Sequence, residues 1–238
     1  MRSELELLGP EDFAGPQSEL VVAVLAMNHL RPVASAELGD AIWFGRSSPA
    51  WRSSLRALVS RVRATLGKIE TVDLRGGDGW YQLVLPAGSS VDCLVAVQEA
   101  HEAEALLAHA QHDDALAHAA VASMIAARRV LPEVAHPWVD ALALKMQDVR
   151  VRALDALVQL WIGQRKYVQA IRDAELLLEI DPLHESAYAG LMRAHLCNGS
   201  PTMGLRAYER CRQVLAHELG SSPGPPVDSL YQQLLAIT

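Results

Sequence analysis

Apolar residues recur at helical spacing along most of the chain, and the period changes clearly only around residues 70–85. PEDFAGP, after a short β-like LELLG, reads as loop. SELVVAVLAMNH (18–29) then predicts a first helix. LRPVAS is a connector, with Ser35 suited to cap a short helix, AELGDAIW, that Trp43 and Phe44 seat on the core. PAWRSSLRALVSRVRATL (49–66) predicts a third helix. With about 100° of turn per residue, Trp51, Leu55, Leu58, Val59, Val62 and Leu66 share one stripe. Arg52, Ser53, Arg56, Ser60 and Arg63 fall on the adjoining arc, and Arg61 lies further round beside Ala57 and Ala64. Ser48 is placed to cap this helix, Pro49 to take its first position and Gly67 to end it. Next come two β-like runs, IETVDL and WYQLVL, separated by RGGDG. Glycines 76, 77 and 79 there supply the positive φ angles a tight turn needs. Helix, short helix, basic helix and hairpin is the order of a winged helix-turn-helix, whose third helix enters the DNA major groove.

Beyond PAGSS (86–90) the pattern is helical almost throughout, broken by PEVAHP and by SSPGPP. YVQAIRDAELLLEIDP (167–182) overlies PTMGLRAYERCRQVLA (201–216) at an offset of 34 residues. Ala170 then matches Gly204 and Ile171 matches Leu205, while Ala174 against Tyr208 is a mismatch in size. In the preceding helices Leu160 matches Ala194. A 34-residue helix-turn-helix period is the tetratricopeptide signature, and such repeats stack around a concave groove. The fold expected is mainly α: a winged helix over residues 1–88 with a shortened sheet, then an all-α repeat domain over 91–238.

Charge alters this picture locally. The chain has 238 residues and a net charge of -7. Residues 1–90 hold 9 Lys/Arg against 10 Asp/Glu, and residues 91–238 hold 12 against 18. From Arg46 to Lys68 there are six Lys/Arg and no acid. A basic strip on an acidic chain suits specific docking and argues against loose coating of polyanions. Cys93, Cys197 and Cys211 are far apart and form no CxxC pair, as expected of reduced thiols in a cytoplasmic protein. No apolar run is long enough for a membrane span, and MRSELELLG lacks the apolar stretch of a signal peptide.

LLG (7–9), AIWFGRSSPAWRSSLRALVSRVRATLG (41–67), GGDGWYQL (76–83), VDCLVAVQEA (91–100), LPEVAHPWVD (131–140), LEIDPLHESAYAGLMRAHLCNG (178–199) and LRAYERCRQVLAHELGSSPGPPVDSLYQQLL (205–235) occur in an order and spacing that together resemble one family. The chain resembles SARP-type bacterial transcription activators, in which an OmpR-like winged helix precedes a bacterial transcriptional activator domain of tetratricopeptide-like helices. It departs from them where PEDFAGPQ stands in place of two N-terminal strands. The resemblance implies a regulator, an activator by its family, that binds double-stranded promoter DNA as a homodimer and can contact RNA polymerase. Carried over by position, Arg52, Ser53, Arg56 and Ser60 face the groove. Arg61 and Arg63 match the basic pair of the family's SRLR-like core, and Lys68 and Arg75 complete the DNA-binding set. The loop around Trp43, Phe44 and Arg46 corresponds to one that can touch polymerase, although Trp43 reads better as a core plug.

Other chemistry is sparse. Asp73 and Asp78 would repel phosphate near the wing. His101, His109, His112 and His118 read as solvated helix-face residues, without an HExxH pair or a cysteine to join them. Asp113 and Asp114 suit the start of a helix. Trp138, Trp161, Tyr167, Tyr188, Tyr208 and Tyr231 read as packing residues. The absence of a GxSxG or a Ser/His/Asp arrangement points away from an enzyme, and no metal or cofactor is implied. A second reading stays open: an interaction or ligand-sensing scaffold whose winged helix no longer binds DNA.

Overall fold

The computed structural model describes residues 10–44, 49–69, 71–77 and 79–237. The chain divides into two compact units, Met1–Leu94 with Arg129–Leu144, and Val95–Arg128 with Lys145–Thr238.

In the first unit α1 (Pro16–Met27) starts two residues earlier than the pattern predicts, because Pro16 takes the first helical position behind Gly15 at φ 88°. The connector contains a two-residue strand, β1 (Val33–Ala34). Ser35 does not cap α2 (Ser35–Trp43); it is the helix's first residue, and its N–H donates to Gly79 O at 2.8 Å. The basic helix α3 (Trp51–Leu66) begins after Pro49, with Ala50 in the capping position. The expected cap Ser48 and the strand LLG lie outside the described residues. β2 (Asp73–Gly76) and β3 (Trp80–Val84) are shorter than their apolar runs. The strands form an antiparallel sheet of order β1-β3-β2, with Val33 opposite Tyr81 and Leu74 opposite Leu83. PEDFAGPQ forms no strand: Pro10–Asp12 is a 3-10 turn.

The apolar stripe of α3 is buried as its spacing predicts. Leu55, Leu58, Val59, Val62 and Leu66 join Leu20, Val21, Val24 and Leu25 of α1 and Leu74, Tyr81 and Leu83 of the hairpin in one core. Each fully buried side chain of this kind contributes roughly 1.5–3 kcal/mol. Val134 and Val139 complete this core from the separate segment Arg129–Leu144, with Leu131 and Trp138 packed alongside. The Trp138 N–H donates to His136 Nδ1 at 3.1 Å, so the other ring nitrogen carries the proton given to Ile42 O at 2.9 Å. A linear division at residues 88–91 therefore differs from the packing, which assigns this later segment to the first unit.

The second unit is built from α4 (Asp92–Ala108, from Val95 on), α5 (His112–Ala126), α6 (Pro137–Gly163, from Lys145 on), α7 (Tyr167–Ile180), α8 (Glu185–Cys197), α9 (Pro201–Leu219) and α10 (Pro225–Leu235). Small residues set the helix crossings. A Cβ on Gly190 of α8 would lie 2.5 Å from Val158 Cγ1, and one on Gly204 of α9 would lie 2.9 Å from both Leu234 methyls.

Three turns close in the same way. Gln111 N bonds Leu106 O, Lys166 N bonds Trp161 O and Ser200 N bonds His195 O, at 2.9, 2.8 and 2.9 Å. The preceding residues Ala110, Arg165 and Gly199 have φ 58°, 59° and 73°. This is the Schellman closure, for which glycine is best suited. The second and third turns are 34 residues apart, but the first and second are 55 apart. The excess of 21 residues over the period corresponds to the stretch that contains Arg129–Leu144.

Arg165 is exposed and holds a left-handed backbone without glycine's freedom. Arg165→Gly is expected to stabilise the helical unit by about 0.5–1 kcal/mol, read as a higher unfolding midpoint in thermal circular dichroism.

Candidate nucleic-acid interface

The position of α3 begins with a glycine on α2. A Cβ at Gly39 would lie 3.0 Å from Trp51 Cε3 and Cζ3, so the bare backbone of α2 is what admits the indole. Glycine inside a helix costs about 1 kcal/mol relative to alanine, and here the close approach accounts for it. Trp51 is half-buried, and the Arg52 guanidinium stacks over its ring at 4.7 Å. Trp43 packs against the core, but Phe44 does not seat α2. It caps the helix in a left-handed conformation, φ 50°, and the residue is 63% exposed. Arg46 lies outside the described residues.

The predicted site residues separate into two groups. Arg52, Arg56 and Arg61 are exposed on α3, and none has an acidic partner among the described residues. Ser60 is exposed beside them. Ser53 is exposed too, but its hydroxyl donates to Ala50 O at 2.7 Å and helps close the first turn. The other cations are already engaged. Arg63 donates from Nε to Leu74 O at 2.9 Å and from Nη2 to Gly76 O at 3.2 Å. Lys68 pairs with Asp12 at 3.2 Å, and Arg75 pairs with Asp73 at 2.9 Å. Asp12, which engages Lys68, is 56 residues away, so the local charge pattern could not reveal it, whereas Asp73 is only two residues from Arg75. Asp78 lies outside the described residues.

The hairpin turn lies close to the start of α3. Gly76 has φ 106° and Gly79 φ 95°, whereas Gly77 is not in the left-handed region. The Gly77 N–H donates to Trp80 O at 3.0 Å. Together Ser35, Arg52, Arg56, Gly77 and Gly79 border a cleft of about 250 Å³ whose floor includes Leu55 and Tyr81. It is an open recess with two guanidinium groups at its edge and backbone beside it, a shape and charge that suit an anionic chain.

Residues 91–235 match the model of the bacterial transcriptional activator domain. The chain belongs to this family. It is 27% identical over 224 residues to the regulatory protein AfsR of Streptomyces coelicolor, a match covering 92% of this chain and 22% of AfsR. It is 26% identical to the transcriptional regulatory protein EmbR of Mycobacterium bovis, covering 92% of this chain and 58% of EmbR. The chain thus spans about a fifth of AfsR and little more than half of EmbR. A solved structure of Mycobacterium tuberculosis EmbR in complex with a low affinity phosphopeptide superposes with a TM-score of 0.82 at 25% identity, covering 94% of this chain and 60% of that one. The likeness to EmbR extends over both units.

Within the activator-domain unit, a cleft of about 730 Å³ runs past Leu107, Val158, Ile162, Ser186 and Arg193. At its edge Asp155 accepts from Ser186 and from Gln159, and His184 Nε2 lies 3.6 Å away. Burial pushes the Asp155 carboxyl up, but the hydrogen bonds from His184, Ser186 and Gln159 and the nearby imidazolium outweigh it and hold the carboxyl below its ordinary range. The bond to Asp155 raises His184 against the opposing effect of burial, and Asp181 at 3.2 Å raises it further. The histidines singled out above do not converge: among the described residues no group of three or more ligating side chains could hold a metal. His118 is not simply solvated, because it lies 2.6 Å from Glu99. The helix expected from Asp113 begins at His112, with Asp113 and Asp114 in its first turn. No described helix is long and apolar enough to cross a membrane.

A Cβ at position 76 would lie 2.2 Å from Trp80 O, on a backbone already at positive φ. Gly76→Ala is expected to destabilise the first unit by ~2 kcal/mol or more, measured by denaturant titration of tryptophan fluorescence. The raised His184 stabilises the fold below its ordinary value of about 6.5, and this is lost as pH rises through the folded value. The lowered Asp155 stabilises it above the ordinary carboxylate value of about 3.9, and this is lost as pH falls through the folded value. The pair supports the helical unit most between those limits. His184→Asn is expected to flatten the loss of thermal stability from pH 6 towards pH 8.

Proposed function

We propose that this chain is the DNA-reading and helical-repeat part of a transcriptional regulator, an activator by its family. In this reading α3 lies in the major groove of double-stranded promoter DNA, and the hairpin follows the adjacent backbone. The observation that carries it is the exposed, acid-free face of α3. Arg52 and Arg56 keep their charge available there, next to a glycine turn that lets a phosphate backbone come close, and Arg61 is exposed further round the helix. Arg56 borders the cleft beside the turn and is the residue proposed to reach base edges, where arginine can bond guanine in bidentate fashion. Arg61, well round the helix from Arg56, is proposed to neutralise phosphate, and Ser53 and Ser60 to contact backbone at the rim. The helical repeats are proposed to mediate homodimerisation or contact with RNA polymerase. The names of AfsR and EmbR as regulators support the class.

A second reading has its own support. Arg63, Lys68 and Arg75 are committed to partners within the protein, and the net charge is -7. A scaffold whose winged helix has lost DNA affinity fits those facts.

Titration of a fluorescent promoter duplex at several salt concentrations separates the two. Regulator function predicts binding whose logarithm falls linearly with log salt. It also predicts about 5- to 100-fold weaker binding for Arg56→Ala at the preferred sequence, with less discrimination between sequences. Arg61→Ala is expected to weaken all duplexes alike and to reduce the salt slope by about 0.9. A wild-type chain with no affinity for duplex at low salt would establish the scaffold.

A further inference from the structure

We infer that Arg63 is a positioning residue that holds the wing at a set distance from α3, and that its guanidinium is not a DNA contact. The inference rests on the DNA-reading role of α3 proposed above and assigns this arginine a different part in it.

The geometry is that of a missing strand. β2 is an edge strand whose neighbour in the described sheet is β3 alone. An edge strand presents carbonyls to one side with no ladder to receive them. Arg63 supplies two donors to alternate residues of β2, Leu74 and Gly76, at 2.9 and 3.2 Å. Alternate carbonyls on one strand are what a further strand would bond, because successive groups point to opposite sides. The planar guanidinium presents its donors in a fixed fork, so one side chain meets both. Beneath the fork, Leu66 of α3 and Leu74 of β2 are buried in the same core, and apolar packing and polar clamp act at the same junction.

Place along the helix separates Arg63 from the other arginines. It shares the basic arc with Arg52 and Arg56 but lies about two turns further on than Arg56. Arg52 and Arg56 border the cleft near the hairpin turn, whereas Arg63 bonds the strand itself. The clamp also ends on Gly76, the residue whose φ of 106° starts the turn. Holding that carbonyl therefore fixes where the turn leaves the strand. With the clamp in place, the turn and the first half of α3 meet a duplex as one surface. Without it, the hairpin would have to be ordered on binding.

Lysine and glutamine variants of the full chain distinguish the two roles, because they preserve opposite properties. Arg63→Lys keeps the charge but puts a methylene where Nε stood. Arg63→Gln loses the charge but places an amide nitrogen one bond past Cδ, as Nε is, and so keeps the bond to Leu74 O. Hydrogen exchange of residues 73–84 in the free protein reads the wing directly. Exchange at about tenfold or more above wild type is expected in Arg63→Ala and Arg63→Lys, with Arg63→Gln in between. In duplex titrations Arg63→Gln is expected to bind within about threefold of wild type with an unchanged salt slope, and to bind more tightly than Arg63→Lys. The inference is overturned if Arg63→Lys matches wild type while Arg63→Gln matches Arg63→Ala with a slope reduced by about 0.9, which is the signature of a phosphate contact. It is equally overturned if wing exchange is unchanged in a folded Arg63→Ala protein. Should the wild type bind no duplex, the DNA reading fails by itself and hydrogen exchange still decides whether Arg63 holds the wing.

Discussion

The packing of one helix stripe governs the first unit. Leu55, Leu58, Val59, Val62 and Leu66 are all but fully buried, so the rotation of α3 about its axis is set by what lies beneath it. That rotation decides which arginines face outward, and the arginines have no freedom to choose. α1 supplies the opposing apolar surface, and the indole of Trp51 enters the space left by Gly39 on α2. Hydrophobic burial is not directional, but a stripe about 100° wide on a stiff helix turns it into an orientation. The charged face is the complement of the buried one.

Much of this was legible because spacing alone carries it. The stripe on α3, the change to a two-residue period before the hairpin and the 34-residue offset between α7 and α9 are properties of the residue pattern. The burial of that stripe and the coincident starts at Tyr167 and Pro201 agree with it. What was not legible depends on atoms far apart in sequence. Asp12 engages Lys68 across 56 positions, and Arg63 finds carbonyls that no side-chain pattern announces. Helix starts also moved, at Ser35 and at Pro49, because backbone partners and capping geometry placed them where side-chain preference alone did not. Phe44 shows the limit of the apolar rule: an aromatic at a helix end can take a left-handed cap and face solvent.

The repeats combine regularity with one interruption. Equivalent turns close through the same hydrogen bond whether the left-handed residue is Ala110, Arg165 or Gly199, so the closure is imposed by the packing of the helices it joins. Sequence comparison by a single period finds the two later pairs and misses the first, because the spacing between turns there is 55 residues and not 34. The extra residues are not idle: Val134 and Val139 from that stretch belong to the other core, and His136 bonds Ile42 O in the same unit.

This arrangement has a consequence for how the protein comes into being. A ribosome releases the chain from its N-terminus, and domains generally fold as their residues emerge. The first unit cannot complete its core when its helices, strands and hairpin are out, because Val134 and Val139 follow α4 and α5 in the chain. For the time needed to add some fifty residues, at roughly 5–20 residues per second, the nascent first unit must persist with an open flank. Two helices of the repeat domain are made during that interval. The order of synthesis is therefore not the order of completion, and the first unit to start is finished only by residues encoded inside the second.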